Sequence, residues 1–193
     1  MFNRTALLAA ALLISPAAYA DDHGHNGNHA AVAAVEVSEA VAFLTPTQGN
    51  EAHGVVTFTE VEGGVRVQAT VHGLSPDGTH GFHIHEFGNV TSPDGSAAGG
   101  HYNPEGHDHA LPDETQGADD AMRHAGDMGN LEANADGVAT FDQTFDNISV
   151  AGKQNPILGR GLIVHEKQDD GGQPSGNAGP RIAQAVIGVA ESN

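Results

Sequence analysis

From Ala33 onward, apolar and polar residues alternate in short runs separated by turn-forming clusters. Val35, Val37 and Val41 begin the alternation, and Val55 and Thr57, flanked by Val56 and Phe58, continue it. The cleanest run is Val65-Arg66-Val67-Gln68-Ala69-Thr70-Val71. Its period of two places alternate side chains on one face of a strand. Further strands are predicted over Gly81–Phe87, Gly137–Phe145, Gly161–Glu166 and Ala183–Ala190. Glu62-Gly63-Gly64, Ser75-Pro76-Asp77-Gly78 and Ala135-Asp136-Gly137 punctuate the runs with residues suited to tight turns. No amphipathic helix of ordinary length interrupts them. Short strands joined by such turns predict an all-β, antiparallel sandwich or barrel.

Two stretches break the rhythm. Gly88–Asn130 and Gln168–Pro180 are polar and rich in Gly and Asp, the first in His as well. Long loops inside a compact domain usually carry function, and these two are read as functional loops.

The N-terminus has its own pattern. Arg4 precedes a short apolar run, Ala6–Ile14, and Ala18-Tyr19-Ala20 fits a small-x-small cleavage site. Residues 1–20 therefore read as a secretory signal peptide. The run is too short to span a bilayer, so the mature chain is expected to be exported, without a membrane partner, and the bacterial periplasm is the expected compartment. Residues 21–32 begin DDHGHNGNH and are expected to be a disordered leader. His23, His25 and His29 there read equally as weak metal capture or as a solvated segment. Residues 33–193 then form one domain.

Composition narrows the chemistry. There is no cysteine among 193 residues, which removes disulfides, thiolate zinc sites and cysteine nucleophiles together. Any metal site must be built from His, Asp and Glu. With 25 acidic against 7 basic residues the net charge is −18, which argues against nucleic acid as a partner.

The histidines are grouped. His83-Ile84-His85 lies in a strand-like run, so both rings share one face while Phe82 and Ile84 take the other. His101-Tyr102-Asn103-Pro104 follows, then His109, then Arg123-His124-Ala125-Gly126-Asp127, and last Val164-His165-Glu166-Lys167. Imidazole and carboxylate donors without sulfur suit zinc or copper(II).

These segments resemble the copper,zinc superoxide dismutase family. The matching pieces are GFHIHEFGN (Gly81–Asn89), GGHYNP (Gly99–Pro104), RHAGDMGN (Arg123–Asn130), GRGLIVHEKQDD (Gly159–Asp170) and GNAGPRIAQAVIG (Gly176–Gly188). The resemblance implies a Greek-key, immunoglobulin-like β-barrel and dismutation of superoxide to dioxygen and hydrogen peroxide. It implies one copper ion on His83, His85, His101 and His165, and one zinc ion on His101, His109, His124 and Asp127. His101 would bridge the two metals and act in proton transfer. Asp169 would hydrogen-bond histidines of both sites, and Arg181 would orient the anion. His107 competes with His109 on position alone, and family spacing favours His109. His80 reads as a structural histidine that pins a loop, and His53 and His72 as surface or edge residues. The apolar end, Ala185–Ala190, resembles the terminal strand of dimeric members, so a homodimer is a possible assembly.

The chain also departs from the family. The usual disulfide joins the first long loop to the last strand, but here Gln184 holds the strand position and no cysteine lies near Asp94–Ser96. Losing such a bond costs about 2–5 kcal/mol, and Gln184 is expected to hydrogen-bond the loop backbone instead. The loop before Arg181 is shorter than usual and carries only Lys167 as a further cation, while the span from His109 to His124 is longer and acidic. Three rival readings are a copper or zinc buffer on the same barrel, a purely structural sandwich, and a zinc hydrolase. Retention of His101, Asp169 and Arg181 together favours the enzyme over the buffer. The hydrolase lacks an evident free Glu base beside an open three-ligand zinc.

Overall fold

The computed structural model describes residues 37–112 and 122–191. The expected signal peptide and His-rich leader lie outside the described residues. In chain order the strands are β1 (Glu39–Pro46), β2 (His53–Val61), β3 (Gly64–His72), β4 (Thr79–His85), β5 (Asp127–Glu132), β6 (Ala139–Phe145), β7 (Gly161–His165), β8 (Arg181–Val186) and β9 (Gly188–Val189), with one 3-10 turn at Ser96–Ala98. No α-helix occurs among the described residues.

The strands pair antiparallel in the order β5-β4-β7-β8-β1-β2-β3-β6, with β9 beside the start of β1. An Ala133–Ala139 bridge joins β5 to β6 and nearly closes the barrel. β6 returns beside β3 and β7 beside β4, so each crosses past its predecessor in the Greek-key manner. Closure of this kind leaves few free sheet edges.

The interior is filled by one side of each strand. Val65, Val67 and Val71 are fully buried, and Phe58, Phe82, Ile84, Leu162 and Val164 meet them from other strands. The Phe82 and Phe141 rings meet edge to face with centroids 5.5 Å apart.

The structure adds one detail to the strand reading and corrects two expectations. In β1 the inward residues are Ala40, Ala42 and Leu44, while Val41 is half-buried and Phe43 is 65% exposed. A period of two says that one set faces inward but not which, and a shift of one residue exchanges the faces. Here the small residues take the inner face, because Phe58 and Phe82 already fill the interior. The expected last strand breaks at Ile187: β8 pairs with β7, and β9 crosses to β1. The first long loop ends earlier than expected, because Asp127–Asn130 begin β5. That segment has poor strand formers, Asp, Gly and Asn, and β4 holds it in place through the His80–Leu131 and Gly81–Asn130 pairs.

Candidate metal centre

β4 and β7 are buried on both faces. Phe82, Ile84, Leu162 and Val164 face the core. His83, His85 and His165 face the other way, under the loops after β4 and β7, and all three are buried. Strand geometry therefore brings three imidazoles from two paired strands onto one surface.

The first loop adds the rest. Tyr102 N donates to Ile84 O and Ile84 N to Gly126 O, each at 2.9 Å, so both ends of the loop dock on the edge of β4. A Cβ on Gly126 would stand 2.1 Å from the Ile84 carbonyl oxygen, so only glycine allows that approach. His101 forms an isolated bridge with His85, and its ring stacks on His83 at 4.0 Å. His124 and Asp127 flank Gly126.

Two four-donor clusters result. His83, His85, His101 and His165 form one, and His101, His109, His124 and Asp127 the other, with donor atoms within 4.8 Å of one another in each. His101 belongs to both. Its Nδ1 lies 2.8 Å from Asp127 Oδ1 and 3.4 Å from His124 Nδ1, which leaves Nε2 for the first cluster. His85 Nε2 and His165 Nε2 also face each other at 3.4 Å. Two bare ring nitrogens at that separation repel unless a cation lies between them. Metal–nitrogen bonds of about 2.0–2.1 Å in a tetrahedron give an edge of about 3.3–3.4 Å. His83 Nδ1 and His109 Nδ1 are buried without a hydrogen-bond partner, although Asp127 Oδ2 is only 2.8 Å from the latter. These are the positions of donor atoms aimed at a shared ion, so the residues present fit two metals.

The far side of most rings is held. His85 Nδ1 lies 3.0 Å from Gly99 O, and His165 Nδ1 lies 2.9 Å from Gly179 O. Asp169 is fully buried, with Oδ2 2.7 Å from His83 Nε2 and Oδ1 2.9 Å from His109 Nε2. One carboxylate thus orients a ring in each cluster, the arrangement that fixes tautomer and basicity at metal sites.

Electrostatics divide the clusters. Burial lowers His83 to about 4 and His165 to about 3, and holds His85 well below its usual value. All three are neutral donors at neutral pH. At His109 burial works downward, but hydrogen bonds to Asp127 and Asp169 outweigh it and raise the ring to about 9. Burial would raise both aspartates, yet their histidine partners hold them well below the usual carboxylate range. Burial lowers His124, so the positive charge of the second cluster rests on His109 between its two carboxylates.

The structure brings together all the sequence-predicted site residues. Arg181 pairs with His165 across β7 and β8, and its guanidinium donates to Gly95 O and Gly99 O. His107 stays out: Asn103 bonds both its backbone N and O, and its ring faces Glu105 at 3.6 Å. His80 is buried with Nδ1 2.9 Å from His165 O. Sequence reasoning missed two clamps. Asn130 bonds both backbone groups of Asp169, and Gln173 bonds both of His109. Asn130 closes the RHAGDMGN motif and could have been found there, whereas nothing local marks Gln173.

Comparisons with known proteins agree with this geometry. The sequence profile of the copper/zinc superoxide dismutase family matches residues 52–187. The chain is 43% identical over 163 residues to an extracellular Cu-Zn superoxide dismutase of Drosophila melanogaster, covering 78% of this chain and 85% of that protein. The crystal structure of the clock protein EA4 superposes with a TM-score of 0.68 at 37% identity, over 79% of this chain and 95% of that one.

Proposed function

The chain belongs to the copper/zinc superoxide dismutase family and dismutates superoxide to dioxygen and hydrogen peroxide; on that premise we propose specific roles for its residues. His83, His85, His101 and His165 hold copper, and His101, His109, His124 and Asp127 hold zinc. The observation that carries this reading is the single shared ring, His101, between two four-donor clusters. Copper, when bound, supplies one-electron exchange with superoxide in both directions, and zinc, with its filled d shell, supplies a fixed charge.

The chain supplies the rest. Neutral His83, His85 and His165 present lone pairs without first losing protons. Asp169 locks His83 and His109 in one orientation each. Asp127 and His124 hold His101 by Nδ1, so Nε2 is the atom at which that ring takes up a proton and passes it to the reduced product. Arg181, planar and always charged, docks the anion beside His165. Two superoxide ions and two protons give one dioxygen and one hydrogen peroxide.

Residues 1–20 act as the signal peptide, residues 21–32 as a leader, and the enzyme works after export, in the bacterial periplasm. The exposed apolar residues Phe87, Val186 and Val189 support a homodimer. The test is dismutation by the mature chain from Asp21, with metals measured on the same sample. We expect about one copper and one zinc per chain. Arg181→Ala should cut the rate about 10- to 100-fold, the scale of one charged hydrogen bond, with both metals retained. A rate indifferent to Arg181 would remove its docking role, and stoichiometric metals without activity would point to a metal buffer.

A further inference from the structure

Gln184 lies in β8 with Arg181 and is only 6% exposed. A polar amide between Ala183 and Ala185 in a buried strand costs stability unless it is bonded. Its side chain reaches the first long loop, where Nε2 donates to Ser92 O at 3.2 Å. The acceptor is a carbonyl, so the nitrogen end of the amide must face it. The same Ser92 oxygen accepts Gly95 N at 3.2 Å, which closes a turn over Ser92–Gly95. The Gly95 carbonyl in its turn accepts Arg181 Nη1.

These bonds form a closed circuit. It runs from Gln184 to Ser92, from Ser92 to Gly95, from Gly95 to Arg181, and back along β8. Gly95 has φ of 77°, and a Cβ there would stand 3.1 Å from Arg181 Cδ and 3.2 Å from its Cβ. Glycine therefore lets the turn lie directly on the arginine stem. Beyond the turn, Gly99 O accepts both Arg181 Nη2 and His85 Nδ1. The turn that holds the guanidinium thus continues into the segment that holds a copper-cluster ring.

We propose that Gln184 is a positioning residue for superoxide dismutation, tying the first long loop to β8 without a covalent bond so that the loop carbonyls hold Arg181. The proposal rests on the reading of Arg181 as the anion-docking residue. Without the Gln184 donor, the Ser92–Gly95 turn is tied to the strand side by the Gln48 N to Pro93 O bond, 2.7 Å, and by Arg181 itself. Gly95 O, which also accepts Ala98 N, is then placed less firmly, and so is the guanidinium it holds. Because the chain has no cysteine, this link is indifferent to thiol reductants.

The test uses the full, metal-loaded protein with Gln184→Met, which keeps length and apolar volume but cannot donate, and Gln184→Ala as a second variant that leaves space instead of a clash. Copper and zinc contents should be unchanged. The rate per copper should fall about two- to tenfold, the scale of one hydrogen bond. The affinity for azide, an unreactive small anion read from the copper(II) spectrum, should weaken by a similar factor, and exchange of the Gly95 amide should quicken. In an Arg181→Ala background, Gln184→Met should change azide affinity no further. A lowered melting temperature with unchanged rate and azide affinity would overturn the proposal and leave Gln184 a structural residue. Azide reads docking without turnover, so an inactive parent enzyme would count against the functional reading, and an unchanged azide affinity against Gln184.

Discussion

Two halves of the barrel carry histidine pairs, and only one of them makes a site. In the half formed by β1, β2, β3 and β6, inward Val65, Val67, Ala69 and Val71 alternate with outward Arg66, Gln68, Thr70 and His72. His53 and His72 stand directly opposite across β2 and β3, with rings stacked 5.6 Å apart, yet both are exposed. In the half formed by β4, β7 and β8, His83, His85 and His165 are as buried as the core residues beside them. The strands of both halves pair antiparallel, although β7 and β8 are shorter. What differs is a roof: the loops after β4 and β7 cover the second face, exclude water, and supply His101, His109, His124 and Asp169, with Asp127 at the start of β5. Burial lowers the roofed imidazoles below neutral pH, and aimed carboxylates then create the charge asymmetry between the clusters.

The sharpest way to break the comparison is to remove one histidine from each half. His101→Ala takes a donor from both clusters. It should abolish zinc and copper retention at stoichiometric loading and lower the rate by more than about 100-fold, the upper scale for losing merely a ligand's partner. The double variant His53→Ala, His72→Ala should leave both metal contents and the rate unchanged, with stability within about 0.5 kcal/mol, as for ordinary surface changes. Metal analysis and rate on the same preparations decide it. If the exposed pair mattered as much as His101, the roof would not be what makes the site.

A second test reads the asymmetry inside the roofed half, using the metal-free protein. His83 and His165 have pKa values lowered to about 4 and about 3 by burial. The unfolded chain takes up those protons near pH 6.5, so folded stability is lost as pH falls below about 6.5 toward 4. His109 is raised to about 9. Its contribution is full below about pH 6.5 and is lost as pH rises through 9. The melting temperature of the metal-free protein should therefore peak near neutrality and fall on both sides. Loading zinc below pH 9 should expel the His109 proton, release it to solvent, and remove the alkaline fall. A flat profile in chelator would mean that the two clusters are not electrostatically distinct.

The same contrast explains what could be read in the sequence. β3 and β6 were legible because one face is wet, so every second residue from Val65 to Val71 is polar. β4 was legible by its spacing, since the rule that i and i+2 share a face holds whatever covers it. β5 was not: Asp127, Gly129 and Asn130 read as loop, and only pairing with β4 and burial on both sides make a strand of them. The two donor clusters were read from motifs in family order. The clamps Asn130 and Gln173 act through backbone groups of Asp169 and His109, contacts between segments that are distant along the chain. The face that β1 turns inward was not legible, because alternation is symmetric until the neighbours' volumes are known.

The smallest expected effect concerns how the anion reaches the roofed half. Superoxide is negative and the chain carries a net charge of −18, so its long-range field repels the substrate. Beside His165 the nearby charge is that of Arg181. Arg181 is half-buried and held on loop carbonyls, Lys167 is the further cation on that loop, and Asp94 lies near enough to favour the charged guanidinium against the burial that lowers its pKa. Salt acts differently on these two scales. The Debye length shortens from about 30 Å at 0.01 M to about 8 Å at 0.15 M, which removes the distant repulsion while leaving the contact with Arg181 largely intact. Loss of the repulsion raises the rate while partial screening of Arg181 and Lys167 lowers it, so the second-order rate should change by less than about twofold in either direction over that range, where a positively steered enzyme would lose far more. Substituting Lys167→Gln should then cost little at 0.15 M and more at 0.01 M. A steep loss of rate with salt in the parent enzyme would mean that a positive field extends beyond Arg181 and Lys167, and that the chain's net negative charge does not reach the approach path.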